Sequence, residues 1–183
     1  MIETTQSVSV RVAIDKVWDY VRDIRRWAEL MPGLQDCQIE GDDDSRWVLK
    51  VGVGALVRTV KVNVHVDQWD GPGRVLFSYK LQGDPVTGGG FYRAESTGPD
   101  AITMTLSLRV EGGGPMAPMW EAMGGPLLPK FASAFAEQLA QGIEAAYAGA
   151  DGGAIGSESA HKGPISLLRW LWRVLFGRRR KVS

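Results

Sequence analysis

The chain has 183 residues, 44% of them hydrophobic and 23% charged, a composition that predicts one globular domain and excludes wholesale disorder and a polytopic membrane protein. The net charge of zero hides an asymmetry, because the 19 residues from Ile165 to Ser183 carry six basic and no acidic side chains, and the rest carries 15 basic and 21 acidic ones. An acidic body with a basic tail predicts an anionic surface as the partner of the tail and no nucleic acid as the partner of the body.

The chain begins with a predicted strand and two predicted short helices. Thr5 to Val12 alternates apolar and polar side chains, as a half-buried strand does. Apolar residues then recur at helical spacing from Asp15 to Met31, where Pro32-Gly33 ends the pattern. We expect two helices in this stretch, separated near Asp23. The first residues lack the basic and then apolar order of a signal peptide.

Six further strands are predicted between residues 34 and 111. Their ranges are Leu34–Glu40, Arg46–Val53, Val57–Asp67, Arg74–Leu81, Phe91–Ser96 and Ala101–Glu111. The polar run Asp42–Ser45, the run Asp70–Gly73 and the glycine-rich run Thr87–Gly90 are predicted turns. Alternating strands joined by short turns favour an antiparallel sheet with one apolar and one solvated face.

A long C-terminal helix is predicted to cover the apolar face. Its apolar positions recur at intervals of about four, at Leu127, Leu128, Phe131, Phe135, Leu139, Ile143 and Tyr147. Prolines and glycines between Pro118 and Pro129 predict that the start of this helix is interrupted, as in a lid over a pocket. The fold class is therefore α+β, a curved antiparallel sheet around a long C-terminal helix.

The apolar face also predicts a binding site for a lipophilic molecule. No Asp, Glu, His or Lys falls at an inward strand position, and methionines near the helix start suit irregular contents. The alternative is an ordinary packed core with a loose helix start. The predicted ligand-binding residues are Trp27, Met31, Trp47, Leu49, Val51, Val60, Val62, Val64, Phe77, Tyr79, Phe91, Met104, Leu106, Leu108, Met119, Trp120, Met123, Leu127, Leu128, Phe131 and Phe135.

No catalytic or metal-binding constellation is visible in the sequence. His65 points outward on a strand and His161 lies in a linker, so both are expected to be solvated. The glycine runs Gly88–Gly90 and Gly112–Gly114 lack the Lys-Ser/Thr of a phosphate-binding loop. We expect no catalytic residue, no metal and no covalent cofactor. The single cysteine, Cys37, excludes an intrachain disulfide and favours a reducing compartment.

The C-terminal residues predict a flexible tether, 149–164, and an amphipathic basic helix, 165–183. The apolar part of that helix, Ile165 to Phe176, is about 12 residues or about 18 Å long, which is too short to span the roughly 30 Å core of a bilayer. It suits the membrane interface instead, with a helix that docks on a protein as the alternative. The predicted membrane-binding residues are Leu167, Leu168, Arg169, Trp170, Leu171, Trp172, Arg173, Val174, Leu175, Phe176, Arg178, Arg179, Arg180 and Lys181.

Four short motifs carry a resemblance to a known superfamily. They are Val17-Trp18, Met31-Pro32-Gly33, Val51-Gly52-Val53-Gly54 and Gly88-Gly89-Gly90. Over roughly residues 4–147 the chain resembles START-like (SRPBCC) helix-grip proteins and, among them, the carbon monoxide dehydrogenase CoxG family. Residues 1–148 are accordingly interpreted as a START-like lipophile-binding domain.

The resemblance implies a function without catalysis. It implies a peripheral protein at the cytoplasmic face of the cell membrane that carries a lipophile, such as a menaquinone-like respiratory quinone, for a CO dehydrogenase-type molybdenum hydroxylase. One alternative is an adaptor that recruits that enzyme to the membrane without a ligand. The other is a polyketide cyclase or aromatase-like enzyme, which requires an ionisable side chain in the cavity, such as an inward Arg58 or Arg93.

Overall fold

The computed structural model describes residues 1–53 and 56–148, and the predicted tether, the tail helix and His161 lie outside these residues. The order of elements is β1 (Ile2–Val10), α1 (Ile14–Val21), α2 (Ile24–Leu30), β2 (Leu34–Ile39), β3 (Asp44–Val53), β4 (Leu56–Asp70), β5 (Arg74–Leu81), β6 (Val86–Gly98), β7 (Ala101–Gly112), a 3-10 turn (Gly114–Met116) and α3 (Ala117–Tyr147). The predicted sequence of strand, two short helices, six strands and long helix is confirmed.

Within the described residues, seven strands form one antiparallel sheet in the order β1-β7-β6-β5-β4-β3-β2. The chain runs through neighbouring strands from β2 to β7, and β1 lies beside β7 at the far edge. The long helix α3 packs mainly against β1 and β7, while α2 packs against β2. We call the face of the sheet that the helices cover the inner face and the opposite one the outer face.

Local chemistry explains why α2 begins and ends where it does. The Asp23 carboxylate accepts a hydrogen bond from the Arg25 backbone N–H at 3.0 Å and so caps the start of α2, at the predicted break. After α2, Gly33 has φ of +80° and a Cβ there would overlap the Lys50 carbonyl of β3. Only glycine fits this turn, which brings the end of α2 onto the neighbouring strands.

The glycine run in β6 corrects a prediction. The sequence predicts a turn at Gly88, Gly89 and Gly90, but these residues lie inside β6, paired with Tyr79, Ser78 and Phe77 of β5. The reason is tertiary. A Cβ at Gly88 would overlap the Tyr79 ring, so the glycines leave room for aromatic side chains from the adjacent strand.

The start of α3 corrects a second prediction. The helix is continuous from Ala117 to Tyr147 and contains Pro126 and Pro129. Each proline removes one i to i−4 hydrogen bond, yet the helix continues on both sides, because tertiary packing outweighs the local preference. Farther along, Gly142 lets α3 approach the Tyr20 hydroxyl and Leu30, which a Cβ would meet at 3.0 and 2.9 Å.

Candidate binding site on the inner face of the sheet

The inner face is a continuous apolar surface built by strand alternation. Three rows of directly paired residues run across β4, β5, β6 and β7. From one end of the sheet to the other these rows are Trp69–Val75–Tyr92–Leu106, Val66–Phe77–Gly90–Leu108 and Val64–Tyr79–Gly88–Val110. In the described strands, no Asp, Glu, His or Lys belongs to the inner face, as predicted, because their side chains alternate outward.

Along β5 and β7, exposure rises from one row to the next toward one end of the sheet, whereas in β4 Trp69 is half-buried in the first row and Val64 is buried in the third. Val75 is 0% exposed and Leu106 is 2% exposed in the first row, while Phe77 is 9% exposed in the second. In the third row Tyr79 and Val110 are only half-buried. The inner face is therefore sealed at one end and accessible at the other.

We call the accessible end the mouth. It is formed by the turn between β5 and β6 at residues 82–85, the beginning of β4 and the beginning of α3. The Arg58 guanidinium makes a 2.7 Å ion pair with Asp84 and lies 5.5 Å from the centre of the Trp120 ring. The Gly113 backbone N–H also donates to the Pro85 carbonyl. These contacts tie three separate segments together at the entrance.

Large aromatic side chains pack against each other between α2 and the central strands. The Trp27 indole of α2 packs edge to face on Phe77 and on Trp69, with ring centres 6.3 and 6.1 Å apart. Trp18 of α1 also contacts Trp69, with ring centres 6.1 Å apart. Such edge-to-face pairs are a favourable arrangement of aromatic quadrupoles. They hold the sealed end of the site in shape.

Two tyrosines on the inner face differ in how their hydroxyl groups are satisfied. The Tyr79 hydroxyl donates to the Arg109 carbonyl at 2.7 Å. The Tyr92 hydroxyl is buried and has no hydrogen-bond partner among the described residues. Burial raises the pKa of both hydroxyls above the ordinary value of 10, so both remain protonated at neutral pH. An unpaired buried hydroxyl costs about 1–3 kcal/mol of folding free energy.

Most of the predicted site residues come together on this face. The buried ones are Trp27, Trp47, Leu49, Val60, Val62, Val64, Phe77, Met104, Leu106, Leu108, Leu128 and Phe135. Half-buried are Met31, Val51, Tyr79, Trp120, Leu127 and Phe131. Burial alone does not assign a ligand to them, so their binding role stays a prediction.

Two predicted residues are placed differently, and a third is not described. Phe91 lies on the outer face, between the inward Gly90 and Tyr92, so the prediction that it lines the inner face is wrong. The error follows from treating the glycines before it as a turn, which hides the phase of the strand. Met119 is 41% exposed at the start of α3. The side chain of Met123 is outside what the structure describes.

Two polar residues of the site are absent from the predicted ligand contacts. Tyr92 faces inward because it continues the alternation of Val86, Gly88 and Gly90. This alternation can be recognised only when the glycines are assigned to the strand. Arg58 has the same parity as the inward Val60 and reaches the mouth, the position that a cyclase-like enzyme is expected to require. Arg93 is on the outer face, 3.8 Å from Glu95.

An open depression of about 640 Å³ is lined mainly by outer-face residues, among them Asn63, His65 and Lys80. Its polar groups are largely paired with each other or with neighbours: His65 with Asp44 at 2.9 Å, and Asn63 with Gln82 at 2.7 Å. The hydrogen bond to the Asp44 carboxylate raises the pKa of His65 despite slight desolvation. In the described residues, no group of three or more His, Cys, Asp or Glu is placed to hold a metal ion. This surface offers few free groups for a ligand.

A curved antiparallel sheet that holds a long C-terminal helix defines the START-like, helix-grip class of α+β fold. The chain belongs to the polyketide cyclase / dehydrase and lipid transport family, whose sequence model matches residues 1–146. The superfamily suggested by the resemblance is thus confirmed. A comparison with curated proteins finds no match.

Solved structures show the same fold at low sequence identity. A conserved protein from Geobacillus kaustophilus is 18% identical, with a TM-score of 0.68 over 79% of this chain and 97% of its own. The Zhui aromatase/cyclase from a Streptomyces species is 18% identical, with a TM-score of 0.60 over 82% and 98%. A START superfamily protein from Mycobacterium smegmatis is 18% identical, with a TM-score of 0.57 over 79% and 95%.

Proposed function

We propose that this protein is a membrane-tethered carrier that binds a lipophilic molecule on the inner face of its sheet. The rise in exposure along β5, from the fully buried Val75 to the half-buried Tyr79, carries the proposal, because it leaves an apolar face that is accessible at one end. Apolar burial contributes about 25 cal/mol per Å² and tolerates variation in ligand shape. The family includes lipid transport in its description, which supports this class of function.

The finer proposal concerns the ligand and its destination. A menaquinone-like respiratory quinone joins an apolar tail to a polar ring, which suits an apolar interior with polar groups at Arg58 and Tyr92. The basic tail helix would hold the domain at an anionic membrane surface, where quinones reside. The enzyme that it serves would be a CO dehydrogenase-type molybdenum hydroxylase, as the resemblance to the CoxG family implies.

Identification of a retained ligand tests the proposal. We would purify the full chain from the cytosolic and membrane fractions, extract it with organic solvent and identify small molecules by mass spectrometry. We expect a prenyl quinone or another lipid in stoichiometric amount, and uptake of added menaquinone from vesicles by an emptied sample. Repeated absence of any lipid and of any uptake would contradict a carrier and favour an adaptor that recruits an enzyme.

A cyclase-like enzyme is the second candidate, favoured by Arg58 at the mouth and by the similarity in fold to an aromatase/cyclase. An enzyme of this class would convert a molecule with several carbonyl groups by ring closure and loss of water. Incubation of the protein with a poly-carbonyl chain, followed by mass spectrometry, separates the candidates. A carrier returns its ligand unchanged, whereas a cyclase returns a dehydrated cyclic product.

A further inference from the structure

The hydroxyl of Tyr92 is an unpaired polar group in the sealed row of the inner face. Tyr92 is 1% exposed and pairs across the sheet with Val75 and Leu106, both almost fully buried. Its hydroxyl has no partner among the described residues. Buried hydroxyls in proteins are nearly always hydrogen-bonded, to the protein, to water or to a ligand. This exception therefore marks a position where something polar belongs.

Tyr79 shows that the fold can satisfy a tyrosine on this face without a ligand. It is two rows nearer the mouth than Tyr92, and its hydroxyl donates to the Arg109 carbonyl. Tyr92 lies beyond the Phe77–Gly90 row, and its direct neighbours across the sheet on its own face are apolar. The contrast argues that the missing partner of Tyr92 is not a neighbouring backbone group.

A partner that accepts a hydrogen bond would satisfy the Tyr92 O–H, which has no acceptor among the described residues. The partner must also reach the interior with an apolar body around it. A carbonyl oxygen on a hydrophobic ring or chain meets both conditions, whereas a charged carboxylate or phosphate would lose its hydration without a compensating charge. We propose that the Tyr92 hydroxyl donates a hydrogen bond to a carbonyl oxygen of the bound lipophile.

This inference deepens the proposed function and rests on it. Tyr92 would then be a specificity-determining residue: it favours quinones and ketones over hydrocarbons of the same shape. The preference has two sources, since the carbonyl gains a hydrogen bond and the hydrocarbon leaves the hydroxyl unpaired. Tyr92→Phe removes both.

Paired probes and paired variants test the inference in the full chain. The probes are 2-methyl-3-decyl-1,4-naphthoquinone and 2-methyl-3-decylnaphthalene, which lacks both carbonyls, and calorimetry measures each Kd. We expect the wild type to prefer the quinone, and Tyr92→Phe to reduce that preference about 3- to 10-fold, the range of one net hydrogen bond. Tyr20→Phe is the matched control: Tyr20 is a buried tyrosine of α1 outside the predicted ligand contacts, so its change should leave the preference unchanged.

Two further readouts distinguish a hydrogen bond from a general structural role. Without ligand, Tyr92→Phe should be as stable as the wild type or more stable, whereas Tyr79→Phe should be less stable because the Arg109 carbonyl loses its donor. With ¹³C-labelled quinone, the carbonyl stretch should lie at lower wavenumber in the wild type than in Tyr92→Phe.

The outcomes separate this inference from the proposed function. Equal loss of affinity for both probes in Tyr92→Phe, or an unchanged carbonyl stretch, would overturn the role of Tyr92 while the carrier function stands. If a buried water is the partner of Tyr92, Tyr92→Phe should likewise leave the preference for the quinone over the hydrocarbon unchanged, and the role of Tyr92 is overturned. Failure of the wild type to bind either probe or any lipid would overturn both proposals together.

Discussion

At the scale of single residues, the glycines of β6 decide how the aromatic side chains of β5 pack. Gly88 and Gly90 face inward opposite Tyr79 and Phe77, and a Cβ at Gly88 would overlap the Tyr79 ring. The space that the glycines leave is taken by rings, which supply more apolar surface than an alanine would. Cross-strand packing of this kind compensates for the low strand propensity of glycine.

Gly90→Ala is predicted to destabilise the domain severely. A Cβ at Gly90 would overlap the Ser107 carbonyl of β7 and meet its carbon at 2.9 Å, so backbone rather than a flexible side chain must move. Overpacking of this kind costs about 1–3 kcal/mol or more of unfolding free energy, measured by urea denaturation.

The control for this prediction is Gly41→Ala. A Cβ at Gly41 would meet nothing within 4 Å, and Gly41 lies in an exposed turn, so the unfolding free energy of this variant should differ from that of the wild type by no more than about 0.5 kcal/mol. Equal stability of the two variants would show that β6 does not approach β7 as closely as the structure has it.

The same glycines show what a sequence can and cannot reveal about this fold. The alternation of Val60, Val62, Val64 and Val66 is a local signal, and it correctly predicts an inward row. Gly88 to Gly90 carry no side chains and hence no alternation, so their place in a strand depends on rings from β5, which belong to a different strand. The sequence pattern misses Tyr92 and misplaces Phe91 for that one reason.

At the scale of elements, the mouth is held by contacts between segments that have no sequence proximity. Asp84 is only 13% exposed in its pair with Arg58, which is itself 55% exposed and rests near Trp120. Partial burial of the carboxylate makes this pair stronger than a fully solvated one, although the exposed guanidinium remains screened by water. We expect this ion pair to hold the turn between β5 and β6 against β4 and so to restrict opening of the mouth.

Asp84→Asn is predicted to loosen the mouth while leaving the rest of the sheet intact. Loss of the charge should weaken the coupling by about 1 kcal/mol, or about fivefold in the local opening equilibrium. The Gly113 backbone N–H, bonded to the Pro85 carbonyl, reports that opening directly by hydrogen exchange. Its exchange should accelerate, as should quinone uptake if entry is limited at the mouth.

Glu95→Gln is the matched control for Asp84→Asn. Glu95 pairs with Arg93 on the outer face at 3.8 Å, and both side chains are more than half exposed. Its loss should leave exchange at Gly113 unchanged. If Asp84→Asn also leaves that exchange unchanged, the ion pair does not hold the entrance.

At the scale of the whole molecule, charge divides the sequence into an acidic body and a basic tail. The first 164 residues carry six more acidic than basic side chains, so an anionic membrane repels them, while the last 19 carry six basic ones. In the described residues no helix is long and apolar enough to cross a bilayer. The tail lies outside those residues, so membrane attachment remains a prediction from sequence and needs its own test.

The tail is predicted to bind anionic vesicles through both its charge and its apolar residues. Changing Arg178, Arg179, Arg180 and Lys181 to glutamine in the full chain removes four charges, worth about 1 kcal/mol each near an anionic surface. Partition into phosphatidylserine-containing vesicles should therefore fall about a thousandfold, measured by flotation, with little change on neutral vesicles.

The control changes four exposed body lysines, Lys50, Lys61, Lys80 and Lys130, to glutamine, which alters net charge by the same amount. Because these lysines are spread over a body that the membrane repels, we expect only a small loss of binding. Leu171→Glu should weaken binding to neutral and anionic vesicles alike, since it removes apolar insertion. If the tail variant and the body-lysine variant reduce flotation equally, the attraction follows total charge and the tail is not the anchor.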